Sequence, residues 1–142
     1  MSPPHWAADP PGLHQSGRPL DPDVLKRLRR ELGGNDDSLG QVLSAYLPEL
    51  GSLRDDIRRS SANQDVDLVK YAAHRLGSAS VMVGATRLAR LCRELELLEE
   101  VYGDERIDGL LASIDAESEA VRHAVATLLA MGASRQGKYT LK

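Results

Sequence analysis

Five residues in the chain carry an imidazole or a thiol: histidines at 5, 14, 74 and 123, and Cys92. His5 and His14 lie in a proline-rich N-terminal stretch, and no two of the four histidines have the spacing of metal ligands. Cys92 falls on an apolar stripe, where a small core residue is expected rather than a nucleophile. No glycine-rich phosphate loop, nucleophile elbow or paired acid and base stands out. His74 remains. A neutral imidazole is a nucleophile near pH 7, because the free group has a pKa of about 6.5. It can hold a phosphoryl group as a covalent intermediate. Lys70 and Arg75 stand close enough along the chain to supply positive charge to phosphoryl oxygens, and Ser78 offers a hydroxyl.

The periodicity around His74 decides which way it points. At roughly 100° per helical residue, counted from Val66, the set Val69, Ala73, Leu76, Ser80 and Val83 clusters near about 300°. His74 falls near ~80°, about 140° from the centre of that stripe, so a helix here turns the imidazole to solvent. Lys70 lies one turn before it, Gly77 and Ser78 one turn after, and Val81 two turns after. Glycine inside a helix costs roughly 1 kcal/mol against alanine. With no packing gain visible in the sequence, Gly77 reads as clearance for a large partner.

The elements that must carry this face are all helical. Asp21 is a good N-cap and Pro22 suits a first helical position; Val24, Leu25, Leu28 and Leu32 form a stripe that Gly33-Gly34 ends. A second helix, capped among Asn35, Asp36 and Asp37, carries Leu39, Val42, Leu43, Tyr46, Leu47, Leu50, Leu53 and Ile57. Pro48 should kink or interrupt it near Ser44. The third helix runs from about Asp65 past His74 to about Met82, with Gly84 at the turn. The fourth carries Leu88, Leu91, Cys92, Leu95, Leu98 and Tyr102 and should end at Gly103-Asp104. The fifth carries Ile107, Leu110, Leu111, Ile114, Val121, Val125, Leu128 and Leu129 and should end at Gly132. No segment alternates long enough to form a strand. The fold class is therefore all-α, an up-down four-helix bundle with a short additional N-terminal helix.

Composition agrees. A length of 142 residues suits one domain, and the apolar share of 42% suffices for one core. There is no Phe and one Trp, so the core is aliphatic. The domain should span 20–131. Residues 1–19, with five prolines, read as a disordered tail and 132–142 as a loose one. The net charge of −3 speaks against a nucleic-acid partner. No apolar run approaches the roughly 20 residues of a membrane span. The N-terminus lacks a signal-peptide h-region, and a single cysteine fits a reducing compartment. A cytoplasmic location is the expectation.

The stretch Ala73-His74-Arg75-Leu76-Gly77-Ser78, followed by Gly84-Ala85, Leu88, Leu91-Cys92 and Leu95-Glu96, resembles the histidine-containing phosphotransfer (HPt) family of bacterial phosphorelays. Leu20-Asp21-Pro22, Val24-Leu25 and Leu32-Gly33-Gly34 extend the likeness, which covers about 20–130. The resemblance implies a four-helix bundle with an exposed, phosphorylatable histidine, here His74, and no catalytic machinery of its own. It implies a response-regulator receiver domain as partner, bringing the aspartate and Mg²⁺, and a sensor histidine kinase, hybrid or not, upstream. No cofactor or metal is expected on this chain. Two positions depart from the family pattern: where it usually has Lys and then Gly, three and four residues after the histidine, this chain has Gly77 and Ser78.

The resulting expectation is a phosphocarrier without autonomous catalysis. His74 is the acceptor, with Lys70, Arg75 and Ser78 supporting the phosphoryl group and Gly77, Val81 and Arg87 in the docking face. The alternative is a degenerate relative that docks on a receiver or kinase without phosphotransfer, as the missing lysine would permit.

Overall fold

The computed structural model describes residues 18–99, 102 and 105–140, with side chains described to residue 132. The prolines and histidines of 1–17 lie outside the described residues. Five helices follow one another: α1 (Pro22–Glu31), α2 (Asp36–Ala62), α3 (Val66–Met82), α4 (Thr86–Leu97) and α5 (Ile107–Thr140). The first three begin where polar side chains cap them. Asp21 accepts a hydrogen bond from the Asp23 amide, Asn35 from Asp37 and Asp65 from Leu68, each satisfying an amide that has no partner within its helix.

The helices α2 to α5 close into a ring in which α3 packs between α2 and α4, and α5 between α4 and α2. Three-residue connectors join α2 to α3 and α3 to α4, too short for anything but antiparallel neighbours. Leu50, Leu76, Leu88, Leu95, Ile114, Val121 and Val125 fill the centre. The stripe expected of α3 is buried throughout: Val69, Ala72, Ala73, Leu76, Ser80 and Val83. Ser80 belongs there because its hydroxyl shares a 2.8 Å hydrogen bond with the buried Tyr46 hydroxyl. Burial also pushes the Tyr46 phenol up to about 12.

The short α1 lies across the end of the bundle where α3 turns into α4. The Asp21 amide donates to the Gly84 carbonyl at 2.8 Å. Gly84 has φ +81°, and a Cβ there would meet Asp21 O and Val24 Cβ at 3.1 Å. Only glycine satisfies both the left-handed backbone and the close approach.

Two helix boundaries differ from expectation, and of the two outcomes expected at Pro48 the interruption does not occur: α2 runs unbroken through it. Ser44 and Pro48 are both exposed, so the carbonyl that loses its amide faces water, while Leu43, Tyr46 and Leu50 hold the helix on its buried side. Helix α4 stops at Leu97, five residues before Tyr102. Leu98 turns extended (φ −63°, ψ 129°), stays buried, and leaves Tyr102 to donate its hydroxyl to the Ser60 carbonyl at 3.3 Å. The last turn of α4 holds no basic residue but does hold Glu94 and Glu96, with Glu99 just beyond, an arrangement the helix dipole disfavours. Helix α5 does not end at Gly132 but continues to Thr140; one glycine costs about 1 kcal/mol, too little to halt a helix rich in good formers.

Candidate functional site

His74 sits mid-way along α3, and its side chain is 63% exposed. Its orientation follows from the local helix, since Ala72, Ala73 and Leu76 around it are buried and turn it outward. The imidazole is nevertheless held. Its Nδ1 lies 2.8 Å from Oε1 of Glu96 on α4. A carboxylate only accepts, so Nδ1 carries the proton and donates. The lone pair is then on Nε2. A carboxylate that fixes tautomer and ring angle also raises the basicity of the other nitrogen. Sequence reasoning placed Glu96 in the resembling stretch but assigned it no role, because the two residues are 22 apart on different helices.

The other expected residues fall in distinct places. Lys70 is half-buried one turn before His74, and among the described residues it makes no ion pair. Ser78 is exposed one turn after, and Val81 is exposed farther along the same face. Arg75 is engaged toward α2: Nη2 is 3.6 Å from Glu49 Oε1, and the guanidinium lies 5.8 Å from the Tyr71 ring centroid. Arg87 approaches Glu117 of α5 at 3.8 Å. It stands nine residues before Glu96 in α4, roughly 13 Å along the helix, and the structure does not bring it to the imidazole.

Gly77 has a packing reason that the sequence did not reveal. A Cβ on it would sit 3.4 Å from Cys92 Cβ and 3.7 Å from the Ala89 carbonyl oxygen. It is the point where α3 and α4 come closest around a glycine, and this proximity lets Glu96 reach His74. Cys92 is buried, with its thiol pushed up to about 12 chiefly by burial, an inert core residue. Large apolar side chains also lie exposed on the outer side of α3: Tyr71, Val81 and Met82. Among the described residues no group of His, Cys, Asp and Glu could hold a metal ion, and no helix is long and apolar enough to cross a membrane.

The described residues form a helical bundle that holds an exposed imidazole, His74, on its side. Residues 41–130 match the Hpt domain family, and the chain belongs to that family. Its work is histidine phosphotransfer in phosphorelays; it is a family of carriers rather than a catalytic fold. The fold is similar to that of histidine-containing phosphotransfer protein B (HptB) from Pseudomonas aeruginosa PAO1, with a TM-score of 0.71 and 21% identity over 80% of this chain and 96% of that one. A search of curated proteins found no match.

Proposed function

We propose that His74 Nε2 takes a phosphoryl group from the aspartyl phosphate of one receiver domain and gives it to the aspartate of another, with a sensor histidine kinase at the head of the relay. The observation that carries this reading is the exposed imidazole whose Nδ1–H is bound to Glu96, which leaves Nε2 with the lone pair. The Nε2 lone pair attacks phosphorus; the N–P bond forms, the P–O bond of the acyl phosphate breaks, and the aspartate carboxylate leaves. The ring, now bearing phosphorus on Nε2 and the proton on Nδ1, is cationic, and the Glu96 carboxylate stabilises that charge. In the reverse direction the protonated ring is the better leaving group when a second aspartate attacks.

Lys70 supplies the nearest unpaired ammonium in chain position, Ser78 a hydroxyl, and Arg75 a guanidinium once it leaves Glu49. Tyr71, Val81 and Met82 form the apolar part of the docking face with Ser78, and Gly77 sets the helix spacing beneath it. Mg²⁺ belongs to the receiver, and this chain binds no cofactor for the step. A cytoplasmic location accords with such partners.

The test is incubation with a phosphorylated receiver domain. Wild type gains an acid-labile label and His74→Gln gains none. Equal labelling of the two proteins rejects the acceptor assignment. Tight binding that survives His74→Ala, with no label on wild type, makes the chain a docking module instead, the outcome favoured by the absent lysine at position 77.

A further inference from the structure

A phosphoryl group on His74 brings negative charge and three oxygens to a ring whose Nδ1 already meets the Glu96 carboxylate at 2.8 Å. Glu96 offsets the charge of the ring but repels that of the phosphoryl oxygens, so the site calls for a cation beside them. Helix α3 is poor in candidates. Arg75 is held by Glu49 and Tyr71. Lys70, one turn before His74, is half-buried. One turn after His74 stands Gly77, with no side chain at all.

Across the seam, α4 supplies a free cation. Two contacts fix the register of the helices. A Cβ on Gly77 would lie 3.4 Å from Cys92 Cβ and 3.7 Å from the Ala89 carbonyl oxygen, and Glu96 reaches the His74 ring. Arg93 stands between these contacts in the same unbroken helix. It is four residues after Ala89 and three before Glu96, spacings that put the three on one side of α4. At 100° per residue Arg93 is turned roughly 40–60° away from both, and it is exposed. Its side chain therefore belongs to the outer rim of the α3–α4 seam, at a height between Gly77 and His74. Among the described residues Arg93 makes no ion pair, even with Glu96 one turn further on, whose carboxylate is engaged by the imidazole.

We infer that Arg93 is a phosphoryl-binding residue, its guanidinium donating to the oxygens of the group carried on His74 Nε2. The inference rests on the reading of His74 as the acceptor. A guanidinium suits the task, since its planar fork of N–H donors matches phosphoryl oxygens and it stays charged at every relevant pH. Helix α4 then serves both ends of the reacting unit: Glu96 holds the proton side of the ring and Arg93 the anionic group.

The test uses the full chain as wild type, Arg93→Lys, Arg93→Ala and Arg93→Glu, with His74→Gln as the blank. Two small reagents are compared, and modification of His74 is followed by peptide mass spectrometry. Phosphoramidate delivers an anionic phosphoryl group; diethyl pyrocarbonate delivers an uncharged acyl group to the same neutral imidazole. Phosphoramidate labelling should fall on the order of tenfold in Arg93→Ala, the loss of one charge-assisted hydrogen bond, and further in Arg93→Glu, while Arg93→Lys keeps most of the rate. The pyrocarbonate rate should be the same in all four. Unchanged phosphoramidate labelling in the alanine and glutamate variants overturns the inference. So does a parallel fall with both reagents, which would mean a disturbed ring, and so does a wild-type His74 that phosphoramidate does not label. A phosphorylated receiver domain separates the two readings. If it labels no His74 while phosphoramidate labelling depends on Arg93, the carrier reading fails and the phosphoryl site stands. If it labels wild type and the phosphoramidate rates are indifferent to Arg93, the phosphoryl site fails and the carrier stands; a loss seen with the receiver alone would then make Arg93 a docking contact.

Discussion

Glu96 does for His74 what no neighbour along α3 does: it reaches the ring from another helix and fixes its tautomer, leaving the lone pair on Nε2. The Nδ1···Oε1 distance of 2.8 Å makes this a full hydrogen bond to a partly exposed imidazole. Replacing Glu96 by Gln keeps an acceptor oxygen but removes the negative charge, and Ala removes both. Glu96→Gln should slow labelling of His74 by roughly tenfold, the equivalent of about 1.4 kcal/mol in the barrier, and Glu96→Ala by more, with melting temperatures close to wild type. A rate unchanged in both variants would show that the ring needs no help from α4. Arg75 belongs to the same scale. Its guanidinium is shared by Glu49 and the Tyr71 face, so any contribution to a bound phosphoryl group requires it to exchange partners.

Helix α3 packs closely on α4 at Gly77, where Cys92 and Ala89 lie opposite. A methyl there would touch Cys92 Cβ at an ordinary 3.4 Å, while a longer side chain must turn away from the α3–α4 seam or push the helices apart. Gly77→Ala should therefore leave stability unchanged or raise it, since alanine favours the helix by about 1 kcal/mol. Gly77→Leu should lower stability by about 1–3 kcal/mol through overpacking and slow phosphotransfer by moving Glu96 away from the ring. Thermal melts and labelling rates of the two variants check this, and equal losses for Ala and Leu would contradict it. The lysine expected of the family at this position would have to turn from the α3–α4 seam. That is a physical reason for the departure, and it ties the missing cation to how tightly these two helices pack.

At the scale of the molecule, α2 and α5 are joined on their outer edge by a cluster of ion pairs remote in sequence from His74. Arg54, 18% exposed, donates to Asp115 at 2.7 Å and to Glu119 at 3.1 Å, and Arg58 also binds Asp115. The hydrogen bond from Arg54, and then that from Arg58, hold the Asp115 carboxyl below its ordinary 3.8. Glu119 is held at about 2, first by Arg122 and then by Arg54. A carboxyl depressed in the folded state contributes stability that is present above its unfolded pKa and is lost as pH falls through the folded one. Asp115→Asn should thus be less stable than wild type at pH 7. The difference should shrink as pH drops below 3.8, the ordinary value. Urea titrations of both proteins across that range measure it, and a gap independent of pH would assign the cluster no electrostatic role. Asp115 is more than a third exposed, so solvent screening keeps the effect modest.

Much of this was legible in the residues alone. Helical periodicity is local, so the stripes of α2 and α3, the caps at Asp21, Asn35 and Asp65, and the outward turn of His74 could be read from spacing along the chain. The all-helical class and the family register followed from the same information. What sequence could not supply was adjacency between helices. The partner of His74, the reason for Gly77, the engagement of Arg75 with Glu49 and the separation of Arg87 from the site all depend on which helix faces which, and at what height. The helix ends at Leu97 and Thr140 also escaped local signals, because Leu98 and Tyr102 stay with the core by leaving the helix while a single glycine is too weak to stop α5. Spacing along the chain determines the direction of a side chain on its own helix; only packing determines what it meets there.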